Sequence, residues 1–480
     1  MNARKRNGYR RDRVHGAPGG RPSRLPRPVE APRRAGPARW ALRFLVAGTA
    51  VAAVPVWIAF TDSEETTPAR TVVETGSLEA EDAEPLSEPA RVLDTRIGAS
   101  TVDGRLAGIG LRPPGSILPV PVVDRIGVAE PVRAVLVEIT TANARSAGQL
   151  SVSAPGARQL PDAEPLDYVP GPDSTASVIV PIGPGGQICV ATTGPTDVAV
   201  DVEGWFPAPR AAAPSDVPAD TPCQGRLFDD RMIVAMYGTD RTPRLGVLGE
   251  QDPAAAARRL DEIAEPWRAG DRSVLPAFEL IATLATSDPG DDGLYRLRSS
   301  HEFVRRYLDE ARRQGYYLIL DLQPGRSDFL TEAKYYEDLL REPDVGLALD
   351  PEWRTEPPAR PRGGFIGTVD AAEVNAVINW LADLVAEEQL PEKLLVVHQF
   401  TPDMLTNRDQ VVTREGIAFN VHMDGFGRRA VKLDTYSKIR VEAPWYNGLK
   451  LFYDEDVDIF TAADVLDGVF DPTPVLVTYQ

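Results

Sequence analysis

Eight short apolar runs that alternate with amphipathic stretches constrain the fold of residues 228–480 more than any other feature of the sequence. The apolar runs cover residues 232–237, 274–281, 316–322, 345–350, 394–400, 417–423, 449–454 and 474–479. Stretches of helical period lie between most of them, at residues 253–263, 301–314, 327–341 and 371–388. Strands that alternate with helices predict parallel βα units. Eight such units in about 250 residues predict an α/β fold, the (β/α)8 TIM-like barrel.

Polar residues recur at the carboxyl ends of these predicted strands, which meet at one mouth in such a barrel. Side chains alternate along a strand, so the inward positions can be assigned. The candidate catalytic residues are Glu279, Asp350, Glu352, His398, His422, Asp424 and Asp454. The candidate substrate-binding residues are Tyr237, Asp321, Gln323, Arg326, Trp353, Gln399, Asn420, Lys450, Tyr453 and Tyr479. Their convergence predicts a polar pocket, because charged residues are rarely buried without partners or a function.

The segment LALDPEW at residues 347–353 indicates what such a pocket does. Asp350 and Glu352 alternate onto one face, and a neighbouring carboxylate raises the pKa of a carboxyl group, as a general acid near neutral pH requires. We therefore expect Glu352 to be the acid of a glycoside hydrolase. Its carboxylate partner would be Asp350, Glu279, Asp424 or Asp454. The D-x-E pattern resembles that of chitinase-like and lysozyme-like barrel glycosidases, although the longer acidic signature of the chitinase-like family is absent.

Two other chemistries and one non-catalytic role stay open. Metal-ligand residue types arrive from different predicted strands, which would suit a metal-dependent hydrolase, but no H-x-H or H-E-x-x-H spacing occurs. Alternatively, His398 and His422 would be the acid and base of a metal-free phosphodiesterase, with Lys450 and Arg326 on the phosphate. The barrel would otherwise bind cell-wall polymer without catalysis. We assign no cofactor and no metal ligand.

Residues 91–207 have a different pattern, with short apolar runs separated by Gly and Pro and no sustained helical period. This pattern predicts an all-β sandwich. The blocks RVLDTRIG and DVAVDVEGWFP, at residues 91–98 and 197–207, resemble a β domain of exported surface proteins from high-GC Gram-positive bacteria. The resemblance implies an extracytoplasmic module and no activity. The notable charged residues of this segment are Asp94, Arg96 and Asp201. We interpret them as structural, with an Arg–Asp pair that joins the first and last strands.

The amino-terminal ninety residues predict a membrane anchor. The 12 Arg and one Lys among residues 1–43 face only two acidic residues, although the whole chain has a net charge of −18. We expect residues 1–39 to form a disordered cytoplasmic tail, residues 40–60 an uncleaved transmembrane helix and residues 61–90 an acidic stalk. The bulk of the chain would then lie outside the membrane, and the acidic balance argues against nucleic-acid binding.

Residues 208–227 form a Pro- and Ala-rich linker between the two folded units. It contains Cys223, and the other cysteine, Cys189, lies in a predicted strand. A disulfide is permitted outside the membrane, but the sequence leaves its formation open.

The barrel segment as a whole is similar to an uncharacterised family of exported proteins from the same bacterial group. The similarity lies in blocks such as LDLQPGRSDFL, VGLALDPEWR and PTPVLVTYQ. It implies export and a barrel. Together these features predict action on, or binding of, a cell-envelope polysaccharide or peptidoglycan.

Overall fold

The computed structural model describes residues 72–73, 78–128, 131–155, 165–208, 223, 226–359 and 365–480. The predicted tail at 1–39 and the predicted transmembrane helix at 40–60 lie outside these residues. Among the described residues, no helix combines the length and the apolar composition needed to cross a membrane.

The first part of the described chain folds into two antiparallel sheets that pack face to face. Its strands are β1 (Val72–Val73), β2 (Glu84–Asp94), β3 (Ser116–Pro121), β4 (Val132–Ala142), β5 (Gly148–Ser153), β6 (Leu166–Tyr168), β7 (Ser174–Pro181), β8 (Gln187–Thr192) and β9 (Asp197–Pro207). The order is β1-β7-β4-β9-β2 in one sheet, where β1 joins β7 in parallel, and β3-β8-β5-β6 in the other. Alternating apolar residues such as Val135, Val137 and Leu150 fill the space between the sheets.

The sandwich begins earlier than the sequence predicts. The sequence assigns residues 61–90 to the acidic stalk, but β1 pairs with β7 of the sandwich, and residues 84–90 form the first half of β2, which pairs with β9. The arginine that joins the first and last strands is Arg91, whose guanidinium donates to both carboxylate oxygens of Asp201 at 2.9 and 2.8 Å. Arg96 instead pairs with Asp94 on its own strand end. The expected role of Arg96 in joining the strands is therefore wrong.

Cys189 and Cys223 form a disulfide, with their Cα atoms 5.5 Å apart. The bond attaches the linker to β8 of the sandwich. The sequence leaves the formation of this disulfide open, and the structure contains it.

The second part of the described chain is a closed parallel barrel. Its strands, in chain order, are β10 (Arg231–Gly238), β11 (Ser273–Ala285), β12 (Arg296–Arg298), β13 (Tyr317–Leu322), β14 (Val345–Leu349), β15 (Val369–Asp370), β16 (Lys393–Gln399), β17 (Leu405–Thr406), β18 (Ile417–Met423), β19 (Tyr446–Leu451) and β20 (Leu476–Tyr479). The short strands β12, β15 and β17 do not belong to the barrel wall. The other eight strands form a closed barrel because β10 pairs with both β11 and β20. All eight predicted strands are present, although β19 begins and ends three residues before its predicted position.

Helices cover the outside of the barrel. They are α1 (Pro253–Ala264), α2 (His301–Gln314), α3 (Phe329–Tyr335), α4 (Glu337–Leu340), α5 (Ala371–Glu388), α6 (Arg429–Ile439) and α7 (Ala462–Leu466). Side chains of Asp252, Ser300, Asp328 and Asp370 cap four of them by accepting from a backbone N–H in the first turn. The predicted helix at 327–341 is divided into α3 and α4. Between β16 and β18 the chain forms only 3-10 turns and the two-residue β17.

The sandwich packs against the end of the barrel where the parallel strands begin. Leu111 N donates to the carbonyl oxygen of Arg312 at 3.0 Å, at the carboxyl end of α2. The Arg312 guanidinium donates to both oxygens of Asp344, and Arg112 of the sandwich lies 3.9 Å from the same carboxylate. Asp344 therefore connects one arginine from each domain in a buried ion network.

Gly110 permits this close approach. Its φ is +78°, and a Cβ atom there would lie 2.4 Å from Cβ and 2.7 Å from Cα of Arg312. Replacing Gly110 with alanine should therefore cost both backbone strain and overpacking, together about 2–5 kcal/mol in the free energy of unfolding.

Gly104→Ala is the matched control for Gly110→Ala, since φ is +82° and no atom lies within 4 Å of the added methyl group. It should cost the strain alone, about 1–2 kcal/mol. Chemical denaturation of both variants measures the difference. Equal losses would show that the domain contact adds nothing at Gly110.

Candidate active site

Polar side chains from all eight barrel strands meet inside the end of the barrel where the strands finish. We call this set the mouth cluster, and it comprises Tyr237, Glu279, Asp321, Asp350, His398, Asn420, His422, Asp424, Lys450 and Thr478. Strand register places His398 directly beside His422. One layer deeper the inward positions are small or apolar, as at Ala277 and Ala348. The strand alternation expected from the sequence thus separates an apolar floor from a polar mouth.

Glu279 lies at the base of the mouth cluster with both oxygens bonded. His398 Nε2 lies 2.8 Å from Oε1, and the Thr478 hydroxyl donates to Oε2 at 2.8 Å. The Thr478 oxygen also lies 3.1 Å from His422 Nε2. A hydroxyl has one proton to donate, so with Glu279 ionised Thr478 accepts from His422 Nε2–H. This chain of bonds holds both imidazole rings, whose centroids are 4.9 Å apart.

Lys450 and Asp424 form a second group at the upper edge of the mouth cluster. The Lys450 ammonium lies 3.2 Å from Asp424 Oδ1 and 3.4 Å from the centre of the Tyr237 ring. Asp424 Oδ2 lies 3.5 Å from His398 Nδ1. That approach links the second group to the first. The Tyr237 hydroxyl donates to Asp321 Oδ2 at 2.8 Å, so one aromatic ring contacts both Lys450 and Asp321.

Burial and mutual repulsion change the protonation of the carboxyl groups in the mouth cluster. Burial, reinforced by the charge of Glu279, raises the pKa of Asp321 well above its usual range. Burial, reinforced by Asp321 and Glu352, does the same to the pKa of Asp350. These two carboxyl groups can therefore carry protons at a pH where ordinary aspartates are ionised.

The basic groups respond in opposite directions. Burial lowers the pKa of His398 to about 3, against the opposing charge of Asp424, and burial also lowers the pKa of His422 well below its usual value. Burial alone would lower the pKa of Lys450, but the carboxylates of Asp424 and Glu279 outweigh that effect and raise it. The histidines are therefore neutral hydrogen-bonding groups, and Lys450 is the cation of the cluster.

Gly448 of β19 allows β18 to present two polar side chains side by side. A Cβ atom at Gly448 would lie 2.3 Å from Cδ2 of His422 and 2.6 Å from Oδ1 of Asn420. Within the described residues, neither polar atom of the Asn420 side chain has a hydrogen-bond partner, although the residue is fully buried. A ligand or ordered water that reaches Asn420 could therefore hydrogen-bond to its side-chain amide.

Asp350, Glu352 and Trp353 occupy the point where β14 leaves the barrel. The segment Pro351–Trp353 is a single 3-10 turn, and Asp350 caps it by accepting from Glu352 N at 3.2 Å. Asp350 is 2% exposed, whereas Glu352 and Trp353 are half-buried. The structure thus places Asp350 inside the mouth and the other two residues at its edge.

Three other candidates from the sequence are not members of the mouth cluster. Asp454 is exposed because β19 ends at Leu451, three residues earlier than expected, so the inward alternation stops before it. Tyr479 faces the outer helical layer, where its hydroxyl accepts from Trp267 Nε1 at 3.2 Å. Tyr453 is exposed and stacks on Tyr479.

Gln323, Gln399 and Arg326 complete the set of predicted residues. The Gln323 side chain donates to the Tyr237 hydroxyl at 3.2 Å, and the buried Gln399 side chain donates to the carbonyl oxygen of Thr401 at 3.3 Å. Arg326 instead stacks on Tyr295 and donates to the Ala359 carbonyl oxygen. Its guanidinium is thus engaged outside the mouth cluster.

Thr478 is a member of the mouth cluster that the candidate set lacked. It occupies an inward position of the last strand, so strand alternation was the signal that could have identified it. A metal site was one alternative, and within the described ranges no group of three or more His, Cys, Asp or Glu side chains could hold a metal ion.

Comparisons with known proteins give a limited result. Protein-family profiles give no match to the chain, and curated protein sequences give none. Among solved structures, the CBM22-1 and GH10 modules of a Clostridium thermocellum endo-1,4-β-D-xylanase complexed with xylohexaose align over 81% of this chain and 90% of theirs, with 10% identity and a TM-score of 0.26. A Paenibacillus cycloisomaltooligosaccharide glucanotransferase aligns over 71% of this chain and 48% of its own, with 11% identity and a TM-score of 0.26. Scores this low support no argument about this protein.

Asp321→Asn tests the electrostatics of the mouth cluster. The pKa of Asp321 is raised in the folded state. The free energy of unfolding therefore falls as the pH rises from about 4, the pKa of an unfolded aspartate, toward that raised pKa. Asparagine does not titrate and can still accept from Tyr237. The melting temperature of the variant minus that of the wild type should therefore increase from about pH 5 to about pH 8.

Asp403→Asn is the control for this measurement, because Asp403 is an exposed residue in the loop that follows β16. Its difference from the wild type should stay flat over the same range. A flat difference for Asp321→Asn as well would contradict a raised pKa at Asp321.

Proposed function

We propose that the chain is a membrane-anchored extracytoplasmic protein whose barrel hydrolyses a cell-envelope glycan. The observation that carries this proposal is that one barrel mouth contains two carboxyl groups of different character. Asp350 is buried and has a raised pKa, and Asp424 is ion-paired with Lys450. Glycoside hydrolysis needs one carboxylic acid and one carboxylate on either side of the scissile bond.

Asp350 is the proton donor in this proposal. Its burial keeps the proton on the carboxyl group at a pH where the reaction can use it, and it lies where β14 opens into the mouth. The sequence alone favours Glu352 for this role. The half-buried Glu352 lies next to Asp350 and increases its proton affinity through its negative charge.

Asp424 is the carboxylate partner. It is the part of the mouth cluster nearest to solvent, with 9% of its side chain exposed, and Lys450 compensates its charge. Glu279 is less suited to attack a sugar or to activate water, because His398 and Thr478 occupy its two oxygens. We assign Glu279 and the two histidines to positioning.

The alternatives have less support. A phosphodiesterase needs one protonated histidine near neutral pH, whereas burial lowers the pKa of both His398 and His422. Its proposed phosphate ligand Arg326 is engaged with Tyr295. Polymer binding without turnover is the remaining alternative, and the experiment below separates it from hydrolysis.

Anchoring and export rest on the sequence, through the apolar segment 40–60 and the basic residues before it. The disulfide between Cys189 and Cys223 supports an oxidising compartment, since such bonds are rare in the cytosol. A cell-envelope glycan is the polymer that a protein in this location would meet.

Asp350→Asn should lower the rate of glycan cleavage by about 10²- to 10⁴-fold, the contribution of a general acid. The full chain in detergent would be incubated with peptidoglycan, arabinogalactan, mannan and xylan, and new reducing ends would be counted. Activity of the wild type should fall as the pH rises through the raised pKa of Asp350. Glu352→Gln should mainly shift this pH limit downward, because it removes a neighbouring negative charge.

Asp403→Asn is again the matched control and should retain full activity. Cleavage that survives Asp350→Asn but not Glu352→Gln would return the acid role to Glu352. Binding of a polysaccharide without new reducing ends in the wild type would establish a binding module instead of an enzyme.

A further inference from the structure

Exposed apolar side chains lie in the two loops that follow β18 and β19, close in the chain to Asp424 and Lys450 of the mouth cluster. We call this set the aromatic platform, and it comprises Phe426, Phe452, Tyr453 and Val457. Phe426 is 60% exposed, Val457 59% and Tyr453 43%, while Phe452 is buried and packs against Phe426. These residues follow β18 and β19, so they belong to the same end of the barrel as the mouth cluster. Exposed apolar groups that are close to a candidate functional site are candidate binding surfaces.

The rings of the aromatic platform are held from behind. Phe426 packs edge-on against Phe452 with centroids 5.7 Å apart, and Tyr453 stacks on Tyr479 at 5.5 Å and 27°. Tyr479 is in turn fixed by its hydrogen bond to Trp267. A ring already fixed by its neighbours loses little side-chain entropy when a ligand packs on its open side.

A buried ion pair beneath the aromatic platform fixes its backbone. The Lys432 ammonium lies 2.8 Å from the Asp456 carboxylate and donates to the carbonyl oxygens of Gly425 and Lys450 at 2.8 and 2.7 Å. Asp456 accepts in addition from the backbone N–H groups of Gly427 and Phe452, both at 2.9 Å. The pair therefore joins the loop after β18 to the end of β19.

The aromatic platform is continuous with the mouth cluster in the chain. Phe426 follows Asp424 by two residues, and Phe452 follows Lys450 by two residues. The same ion pair that supports the platform also holds the backbone beside Asp424 and at Lys450. A polymer bound on the platform would therefore lead directly to the proposed reaction centre.

Polar groups around the aromatic platform indicate what it binds. Asp454 and Glu455 are exposed in the same loop, and the guanidinium carbon of Arg259 lies 5.9 Å from the centre of the Tyr453 ring. Carboxylates and a guanidinium group can hydrogen-bond hydroxyl groups, while the rings pack against C–H faces. A sugar ring presents both kinds of group. Arg259 is ion-paired with Glu250, and Arg428 is an exposed cation beside Val457. The two exposed carboxylates outnumber Arg428 and therefore disfavour an anionic polymer or an anionic bilayer through like-charge repulsion.

We propose that the aromatic platform binds sugar units of a neutral polysaccharide and delivers the chain to the mouth cluster. This inference rests on the proposed function and extends it, because it makes the substrate an uncharged polymer that occupies positions beyond the cleaved bond. Phe426 supplies the principal stacking face and Tyr453 the outer edge.

Affinity electrophoresis of the full chain in detergent tests the proposal without requiring turnover. The probes are arabinogalactan, mannan and xylan as neutral polymers, and polygalacturonate as the anionic polymer. At least one neutral polymer should retard the wild type. Phe426→Ala and Tyr453→Ala should each weaken that retardation about two- to tenfold in dissociation constant, the size of one aromatic contact.

Tyr335→Ala is the matched control, since Tyr335 is a similarly exposed aromatic residue, 38% accessible, on the outer helix α3. It should leave the retardation unchanged. An equal loss in all three variants, retardation only by polygalacturonate, or binding only to phosphatidylglycerol vesicles would each overturn the proposal.

Failure of the platform proposal can be distinguished from failure of the proposed hydrolase function. Platform-dependent retardation without any cleavage would refute the hydrolase and leave the neutral-glycan platform standing. If Asp350→Asn abolishes cleavage while Phe426→Ala leaves the retardation by neutral polymers unchanged, the hydrolase is supported and the platform is refuted.

Discussion

Pairing of β10 with both β11 and β20 closes the sheet, and the contacts that cross the mouth cluster depend on that closure. Glu279 and Thr478 are 199 residues apart in the chain, yet they share a hydrogen bond because their strands flank β10 on its two sides. Parallel register then decides which polar residues become neighbours, as it does for His398 and His422. A shift of one residue in any barrel strand would turn its polar side chain toward the helices.

Closure also concentrates charge where water is scarce. Asp321, Asp350, Asp424 and Glu279 lie close enough to influence one another, and Lys450 is the only cation among the residues of the mouth cluster. The cluster avoids the cost of four buried negative charges by keeping protons on the two aspartates of raised pKa. Such an arrangement lowers stability near neutral pH, and natural proteins retain this kind of cost mainly at functional sites.

The sequence predicts the architecture well because two strong periodicities alternate along the barrel segment. Strands predicted at 345–350 and 417–423 nearly coincide with β14 and β18, and the helix at 371–388 coincides with α5. The sequence predicts β19 three residues late, since Phe452 and Tyr453 look like a continuing strand although they lie in the loop after Leu451. That shift is why Asp454 was included among the inward residues.

Pairwise contacts could not be predicted in the same way. Nothing local distinguishes Arg91 from Arg96, and the pair on Asp201 is decided by the register between β2 and β9. The role of Thr478 is similarly invisible in isolation, because a strand threonine is usually a simple β former. The ion pair of Lys432 with Asp456 depends on two loops that meet only after the barrel has closed.

The contact of Gly110 with Arg312 places the sandwich at the end of the barrel where the strands start. Among the described residues, the mouth cluster and the exposed rings lie at the opposite end. A substitution at the domain contact and one in the mouth cluster are consequently separated by the length of the barrel strands. Their effects on the free energy of unfolding should therefore add, as they do for distant sites in other proteins.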